Sequence, residues 1–71
     1  MTTYLLPVYH PIEGVYIEKC RATGFTDSHA KFIRALSEDY ELDYPADWKD
    51  LIRELNKQDI VIGDIYDIEE F

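Results

Sequence analysis

The densest group of side chains that could do chemistry lies between positions 38 and 50, where carboxylates recur at short spacings. They are Glu38, Asp39, Glu41, Asp43, Asp47 and Asp50. With Asp39 as the first ligand, this spacing follows the oxygen-ligand pattern of a helix–loop–helix calcium site. Such a loop needs glycine at its sixth position and a bidentate glutamate at its twelfth, whereas this chain has Tyr44 and Asp50 there. We therefore expect no metal ion at this segment.

The single cysteine and the two histidines are the other side chains with catalytic or metal-binding potential. Cys20, His10 and His29 stand at unrelated spacings, which gives no zinc signature. A cysteine nucleophile needs a nearby base. We expect instead that Cys20 packs within a strand, that His29 packs on the apolar side of a helix, and that His10 is solvated. The three glycines are isolated and form no phosphate-binding loop. We predict no catalytic residues, no cofactor and no enzyme activity.

Length and charge limit what else the chain can do. Its 71 residues allow one small domain, covering 1–71. Fifteen Asp and Glu against seven Lys and Arg give a net charge of −8, which repels nucleic-acid phosphates and anionic membrane surfaces. A single cysteine rules out an internal disulfide, which favours a reducing, cytoplasmic environment. We expect neither a secretory leader nor a membrane-spanning segment.

The negative charge is concentrated in the second half of the chain. Residues 1–37 carry three acids and four bases, a net of +1, whereas 38–71 carry twelve acids and three bases, a net of −9. A second acidic group near the C-terminus contains no base and comprises Asp59, Asp64, Asp67, Glu69 and Glu70. Tyrosine is favoured at protein interfaces because it adds contact area and keeps a polar tip. We predict that both acidic groups contact a protein partner. Three tyrosines that lie among these acids are also predicted contact residues, namely Tyr40, Tyr44 and Tyr66.

The chain contains three candidate strand segments. Apolar and aromatic residues predict a strand from Tyr4 to Tyr9, and Pro7 within it indicates an edge position or a bulge, because proline lacks a ladder donor. After a turn at 11–14, Val15 to Cys20 forms a second strand and completes a hairpin. In the last segment, 60–68, Gly63 and Asp64 allow either a hairpin turn or one strand with a local irregularity. We favour the single strand.

Two helices are predicted between the second and third strands. The first helix is capped by one of the residues 26–28 and ends near Ser37. The second opens at Tyr44–Pro45 and ends at 56–58, and its apolar residues recur at the spacing of one helix face. The predicted fold is a small α+β domain of order β-β-α-α-β. Its two helices pack on one face of a small antiparallel or mixed sheet.

The charge pattern allows two interpretations. Crowded carboxylates can simply keep a small protein soluble, or they can bind a basic protein partner by complementary charge. A chain of this length has a radius of gyration of about 11 Å and a diameter of roughly 29 Å. Duplex DNA of that length carries about 17 phosphates, roughly half of them on one face, which is comparable with the net −9 of the acidic half. A homodimer would extend such a surface and cover edge strands.

A small, acidic, tyrosine-rich chain with these two carboxylate groups resembles the host-takeover proteins of lytic bacteriophages. More narrowly, it resembles the DNA-mimic inhibitors of the histone-like nucleoid protein HU from large Bacillus phages. The resemblance implies a non-enzymatic protein that covers the DNA-binding surface of a basic nucleoid dimer in the host cytoplasm, using the carboxylates of 38–50 and 59–70. An adaptor that docks on a host enzyme, such as RNA polymerase or a nuclease, through a mixed tyrosine and apolar patch is the alternative.

Overall fold

The structure, a computed structural model, describes residues 1–43 and 45–68. Within these residues two helices and four antiparallel strands form one sheet with helices packed on it. The elements are β1 (Thr2–His10), β2 (Gly14–Ala22), α1 (Phe25–Asp39), α2 (Trp48–Asn56), β3 (Val61–Ile62) and β4 (Tyr66–Ile68). The predicted α+β class and the order β-β-α-α-β are confirmed, with β3 and β4 as two parts of the last strand segment.

β1 is the central strand of the sheet. β2 pairs with it along its whole length on one side, and β3 and β4 pair with it on the other. Pro7 therefore does not lie on an edge strand. The backbone N–H of Gly63 donates to the Pro7 carbonyl at 2.9 Å, so the side of Pro7 that lacks a donor faces the junction of β3 and β4. Of the two predicted alternatives, an edge position or a bulge, Pro7 fits the second, because it lies opposite an irregularity in the sheet.

That irregularity is a bulge of one residue. β3 pairs Ile62 with Val8, and β4 pairs Tyr66 with Leu5, so two residues of β1 stand opposite three residues, 63–65. Both strands run antiparallel to β1, which excludes a hairpin turn between them. Because side chains alternate along a strand, the extra residue reverses the facing of every later one. Ile65 packs on the core, and Tyr66 turns to the opposite side of the sheet.

The core lies between the sheet and both helices. The inward side chains of β1 meet α1 and α2 there, together with residues from the end of β2 and the start of the last strand segment. The buried apolar residues are Tyr4, Leu6, Val8, Ala22, Phe32, Leu36, Leu51, Leu55 and Ile60. Ile33 and Trp48 pack against this cluster at its margin. The helical spacing in the sequence therefore identified the buried sides of both helices.

Both helices start at residues other than those predicted, α1 earlier and α2 later. α1 begins at Phe25 after an N-cap at Gly24, which has no side chain to cap with, rather than at 26–28. α2 begins at Trp48 after an N-cap at Asp47, three residues later than Tyr44–Pro45 predicted. Hydrogen bonding explains the later start, because the Asp47 carboxylate accepts the backbone N–H of Asp50 at 2.9 Å.

The two helices run side by side in the same direction. Near their starts, the ring of His29 in α1 lies 4.7 Å from that of Trp48, the first residue of α2. Just past their ends, the Gln58 side chain donates to the Tyr40 carbonyl at 3.3 Å. The segment between them must therefore return along α1 before α2 can begin, which also separates the acids of 38–50 from one another.

The ends of β1 align with the ends of the helices. Tyr4 contacts the ring of Phe25, the first residue of α1, and His10 stacks on Tyr40 just past its last residue. We call the part of the molecule around His10 the turn end, comprising 10–16, 39–41 and 57–59. We call the opposite part the start end, comprising 2–5, 23–29, 46–50 and 66–68.

The face of the sheet turned away from the helices is not covered by a described helix, although Thr3 within it is only 4% exposed. We call it the open face. Its side chains follow from alternation and register as four rows across β2, β1 and β3 or β4: Val15–Tyr9–Val61, Ile17–Pro7–Gly63, Lys19–Leu5–Tyr66 and Arg21–Thr3–Ile68. Val15 is 64% exposed, Val61 53% and Ile17 49%, so this face presents apolar surface to solvent.

Candidate protein-binding site

An acidic cleft at the turn end joins carboxylates from distant parts of the chain. Its lining residues are Glu13, Tyr16, Glu18, Asp39 and Tyr40. Glu13 lies in the turn between β1 and β2, and Tyr16 and Glu18 lie on the helix-facing side of β2. Asp39 is the last residue of α1, and Tyr40 caps it. Among the described residues, no lysine or arginine lines the cleft, so its carboxylates have no counter-charge from this part of the chain.

Two tyrosines and a histidine hold the floor of the acidic cleft. The hydroxyl groups of Tyr16 and Tyr40 are hydrogen bonded to each other, which ties β2 to the end of α1. His10 stacks on Tyr40 with ring centroids 5.9 Å apart. The Nδ1 atom of His10 accepts the backbone N–H groups of Ile12 and Glu13, each at 3.1 Å, so the ring also fixes the β1–β2 turn. His10 is half-buried and structural, which corrects the prediction of a solvated residue.

The electrostatics of the acidic cleft disfavour further negative charge. Partial burial, and then the nearby Asp39 carboxylate, raise the pKa of Glu18. Burial also raises the pKa of Tyr16, with its hydrogen bond to Tyr40 as the next cause, so the phenol stays protonated. Two neighbouring carboxylates without a cation destabilise the free protein. A positively charged side chain from a partner would relieve that repulsion.

Two of the predicted contact carboxylates serve the fold of α2. Asp47 caps the helix, and the Asp50 carboxylate accepts the backbone N–H of Ala46 at 3.2 Å. Asp50 also pairs with Arg53 one turn later. Their position at the start of α2 is favourable for negative charge because of the helix dipole. These two acids therefore have intramolecular roles whether or not a partner binds.

The remaining predicted acids are distributed over both ends of the molecule. Glu38 and Asp39 lie at the end of α1, Glu41 and Asp43 in the following link, and Asp59 in the turn after α2. Asp64 lies in the bulge and Asp67 in β4. Glu41 and Asp59 both adopt positive φ, at 53° and 61°. Tyr44, Glu69 and Glu70, which complete the predicted set, lie outside the described residues.

The two acidic groups of the sequence do not merge into one surface. Tyr40 lies beside His10, whereas β4 pairs with Thr3 to Leu5 near the other end of β1. At about 3.4 Å per residue, Leu5 and His10 are roughly 17 Å apart along the strand. Tyr66 lies on the open face, and Asp67 alternates to the helix side. The structure therefore brings Asp39 and Tyr40 together but separates them from Tyr66 and Asp67.

Most carboxylates have no internal counter-ion. The ion pairs among the described residues are Asp27–Lys31, Asp50–Arg53 and Glu54–Lys57. The other ten of the thirteen Asp and Glu side chains in this part of the chain form no ion pair with a described residue. All three pairs lie within single helices, so no ion pair in 1–43 or 45–68 bridges the two acidic groups.

The residues weighed for catalysis and metal binding have packing roles. Burial raises the pKa of the Cys20 thiol, and the residue packs against the core. His29 packs on Trp48, and its Nδ1 donates to the Phe25 carbonyl at 2.7 Å, so its packing role is as predicted. Across the described residues, no three His, Cys, Asp or Glu side chains are grouped closely enough to hold a metal ion.

The sequence did not indicate three of the five residues that line the acidic cleft, Glu13, Tyr16 and Glu18. Glu13 and Glu18 belong to the half of the chain with net positive charge. The spacing of Tyr16 and Glu18 places both on one side of β2, but it does not show which residues pack beside them. Only the packing of β2 against the end of α1 brings Asp39 beside Glu18.

The sequence matches no protein-family model, and no match was found among curated proteins or solved structures. No helix in the described part of the chain is long and apolar enough to span a membrane.

Proposed function

We propose that this protein is a non-enzymatic inhibitor that mimics DNA and binds a basic, HU-like nucleoid protein of a bacterial host through its carboxylates. It acts in the host cytoplasm and blocks DNA binding by its partner. The observation that carries the proposal is the set of ten carboxylates that form no ion pair with any described residue, three of which line the acidic cleft.

The free protein retains electrostatic repulsion between neighbouring carboxylates in the acidic cleft. Glu18 and Asp39 face each other across the acidic cleft, and the sequence has placed no lysine or arginine there. Lysine and arginine side chains that normally bind phosphates would neutralise these carboxylates and release the repulsion. The Tyr16 and Tyr40 hydroxyls provide polar groups beside them. The cleft therefore suits a cationic protein surface better than any neutral ligand.

The dimensions of the molecule also suit a mimic of a short duplex. Its longest extent is 37 Å, a length over which duplex DNA carries about 22 phosphates, roughly half of them facing one side. The ten carboxylates that form no ion pair with a described residue offer a comparable number of charges, spaced less regularly than phosphates. Such a surface competes best with sequence-independent DNA binding, which depends mainly on phosphate charge.

A competition experiment with a matched charge control tests this proposal. A labelled DNA duplex is bound to purified bacterial HU, and the protein is added at increasing salt. The double variant Glu13→Gln, Asp39→Asn should displace DNA at least about tenfold less well than the unchanged protein. The variant Thr26→Lys, Ala30→Lys has the same net charge but leaves the acidic cleft intact, and it should lose much less.

Three results of this competition would contradict the proposal. They are a failure to displace DNA, displacement that does not weaken with salt, and equal losses in the two double variants. Equal losses would show that net charge alone, and not the acidic cleft, governs binding.

The alternative function, an adaptor on a host enzyme, is favoured by the exposed apolar side chains of the open face. In that case, capture from a bacterial lysate should recover RNA polymerase or a nuclease in a salt-tolerant complex. Tyr66→Ser should weaken the complex, and the variant Glu13→Gln, Asp39→Asn should not. The DNA-mimic proposal predicts the reverse order of effects.

A further inference from the structure

The strand residues on the open face include no carboxylate in the part of the chain that the structure describes. Of the eleven side-chain-bearing positions in its four rows, two are basic, one is threonine and eight are apolar. The acids of these strands lie elsewhere, since Glu18 and Asp67 alternate to the helix side. A chain with a net charge of −8 can approach a second copy closely only at a surface of this kind.

We propose that the open face is the interface of a homodimer, in which two sheets pack face to face and the helices lie on the outside. Sheets pack in this way about 10 Å apart, with their strands within about 30° of each other. The dimer would be a β-sandwich with one helical layer on each side. This inference concerns the protein alone and does not depend on the proposed function.

The exposed apolar area is sufficient for such an interface. Six side chains of the open face are between 42% and 64% exposed, namely Tyr9, Val15, Ile17, Val61, Tyr66 and Ile68. At roughly 80–100 Å² each, they expose about 500–600 Å², which is near the upper end for a surface patch of a monomer. Two copies would bury about 1,000–1,200 Å² from these residues, the lower limit of a specific interface. Leu5, Pro7 and the stem of Lys19 would add to that area.

Complementary contacts favour a second copy and set its orientation. Lys19 is exposed on β2, and its side chain forms no hydrogen bond or ion pair with a described residue. A two-fold axis parallel to the strands places β2 of one copy over β3 and β4 of the other, in the same rows. Lys19 then lies over the ring of Tyr66 of the second copy, which allows a cation–π contact.

The competing orientation lacks this complementarity. A two-fold axis across the strands would place β2 over β2, and this strand offers no acidic side chain on the open face. Pairing of two β2 strands at their free edges would form a continuous sheet, but it would leave the apolar open face in water. Face-to-face packing about a two-fold axis parallel to the strands is therefore the arrangement that both the apolar area and the contact of Lys19 with Tyr66 favour.

Sedimentation of the full chain at micromolar and millimolar concentrations tests the dimer. The unchanged protein should show a concentration-dependent dimer. Ile17→Glu places two charges in the interface, one from each copy, and should raise the dissociation constant about a hundredfold or more. Ile12→Glu is the matched control, because Ile12 is 89% exposed in the β1–β2 turn, outside the open face. Circular dichroism of both variants verifies that they are folded.

A charge exchange tests the orientation. Lys19→Glu should weaken the dimer about tenfold, and adding Tyr66→Lys to it should restore part of the affinity, because the new lysine faces the new glutamate across the interface. A monomer at every concentration, or a dimer that survives Ile17→Glu, overturns the proposal, and so does a failure of Tyr66→Lys to rescue Lys19→Glu. Binding of HU by a strictly monomeric protein would leave the proposed function intact while removing the dimer.

Discussion

Removal of the Asp47 cap should lower the stability of the protein by a predictable amount. Asp47 accepts the Asp50 N–H at 2.9 Å, and its carbonyl accepts the first helical bond, from Leu51, at 3.0 Å. Asp47→Ala leaves that N–H unpaired at an exposed helix end, which costs about 1 kcal/mol. For a domain of this size, such a loss lowers Tm by about 4–8 °C. Thermal unfolding followed by circular dichroism measures it.

Two further variants separate the hydrogen bond from the charge. Asp47→Asn keeps the acceptor oxygen and loses the charge near the helix start, so it should cost only a few tenths of a kcal/mol, and less at high salt. Asp43→Ala removes one exposed charge that makes no hydrogen bond or ion pair with a described residue, and it should leave Tm nearly unchanged. If Asp47→Ala had no effect, or Asp47→Asn cost as much as Asp47→Ala, the capping argument would be wrong.

Three other variants examine the remaining parts of the structure. Gly24→Ser should stabilise the protein by about 0.5–1 kcal/mol in urea unfolding, because the extended backbone there accepts any residue, a Cβ meets no atom within 4 Å, and α1 gains a cap. Leu51→Ala should cost about 2–5 kcal/mol of a total near 4–11 kcal/mol, leaving much of the protein unfolded at 37 °C. The pKa of Glu18 is raised in the folded protein, so its ionised carboxylate destabilises the fold. The contribution of this site to the free energy of unfolding should therefore increase as pH falls and Glu18 becomes protonated. Glu18→Gln should therefore raise Tm near pH 7 and leave it unchanged near pH 4, and an equal gain at both pH values would contradict the assignment.

The last strand segment illustrates how far the sequence carried the fold. Gly63 and Asp64 marked an irregularity, and the single-strand interpretation was confirmed because β3 and β4 pair with the same strand. The sequence did not indicate which residues would change faces. Simple alternation from Ile62 would place Tyr66 on the helix side, whereas the bulge opposite Pro7 places Tyr66 on the open face and Ile65 on the core.

The starts of the helices show a similar limit. Proline early in a helix is a valid signal, yet α2 begins only at Trp48, after Pro45. The link must first return along α1 so that Trp48 can contact His29. The number of residues that this return needs depends on how the two helices pack. Buried positions such as Leu51 and Leu55 were predictable because a helix repeats its faces regardless of where it starts.

By itself, the sequence determined the net charge, its concentration after residue 37, the amphipathic sides of the helices and the α+β order of elements. These properties depend on composition and on spacing between near neighbours in the chain. Only the tertiary structure decided that Glu18 meets Asp39, that Asp39 and Asp67 lie near opposite ends of β1, and that an apolar sheet face remains open. Those features depend on strand register and on contacts between distant segments, which local spacing does not specify.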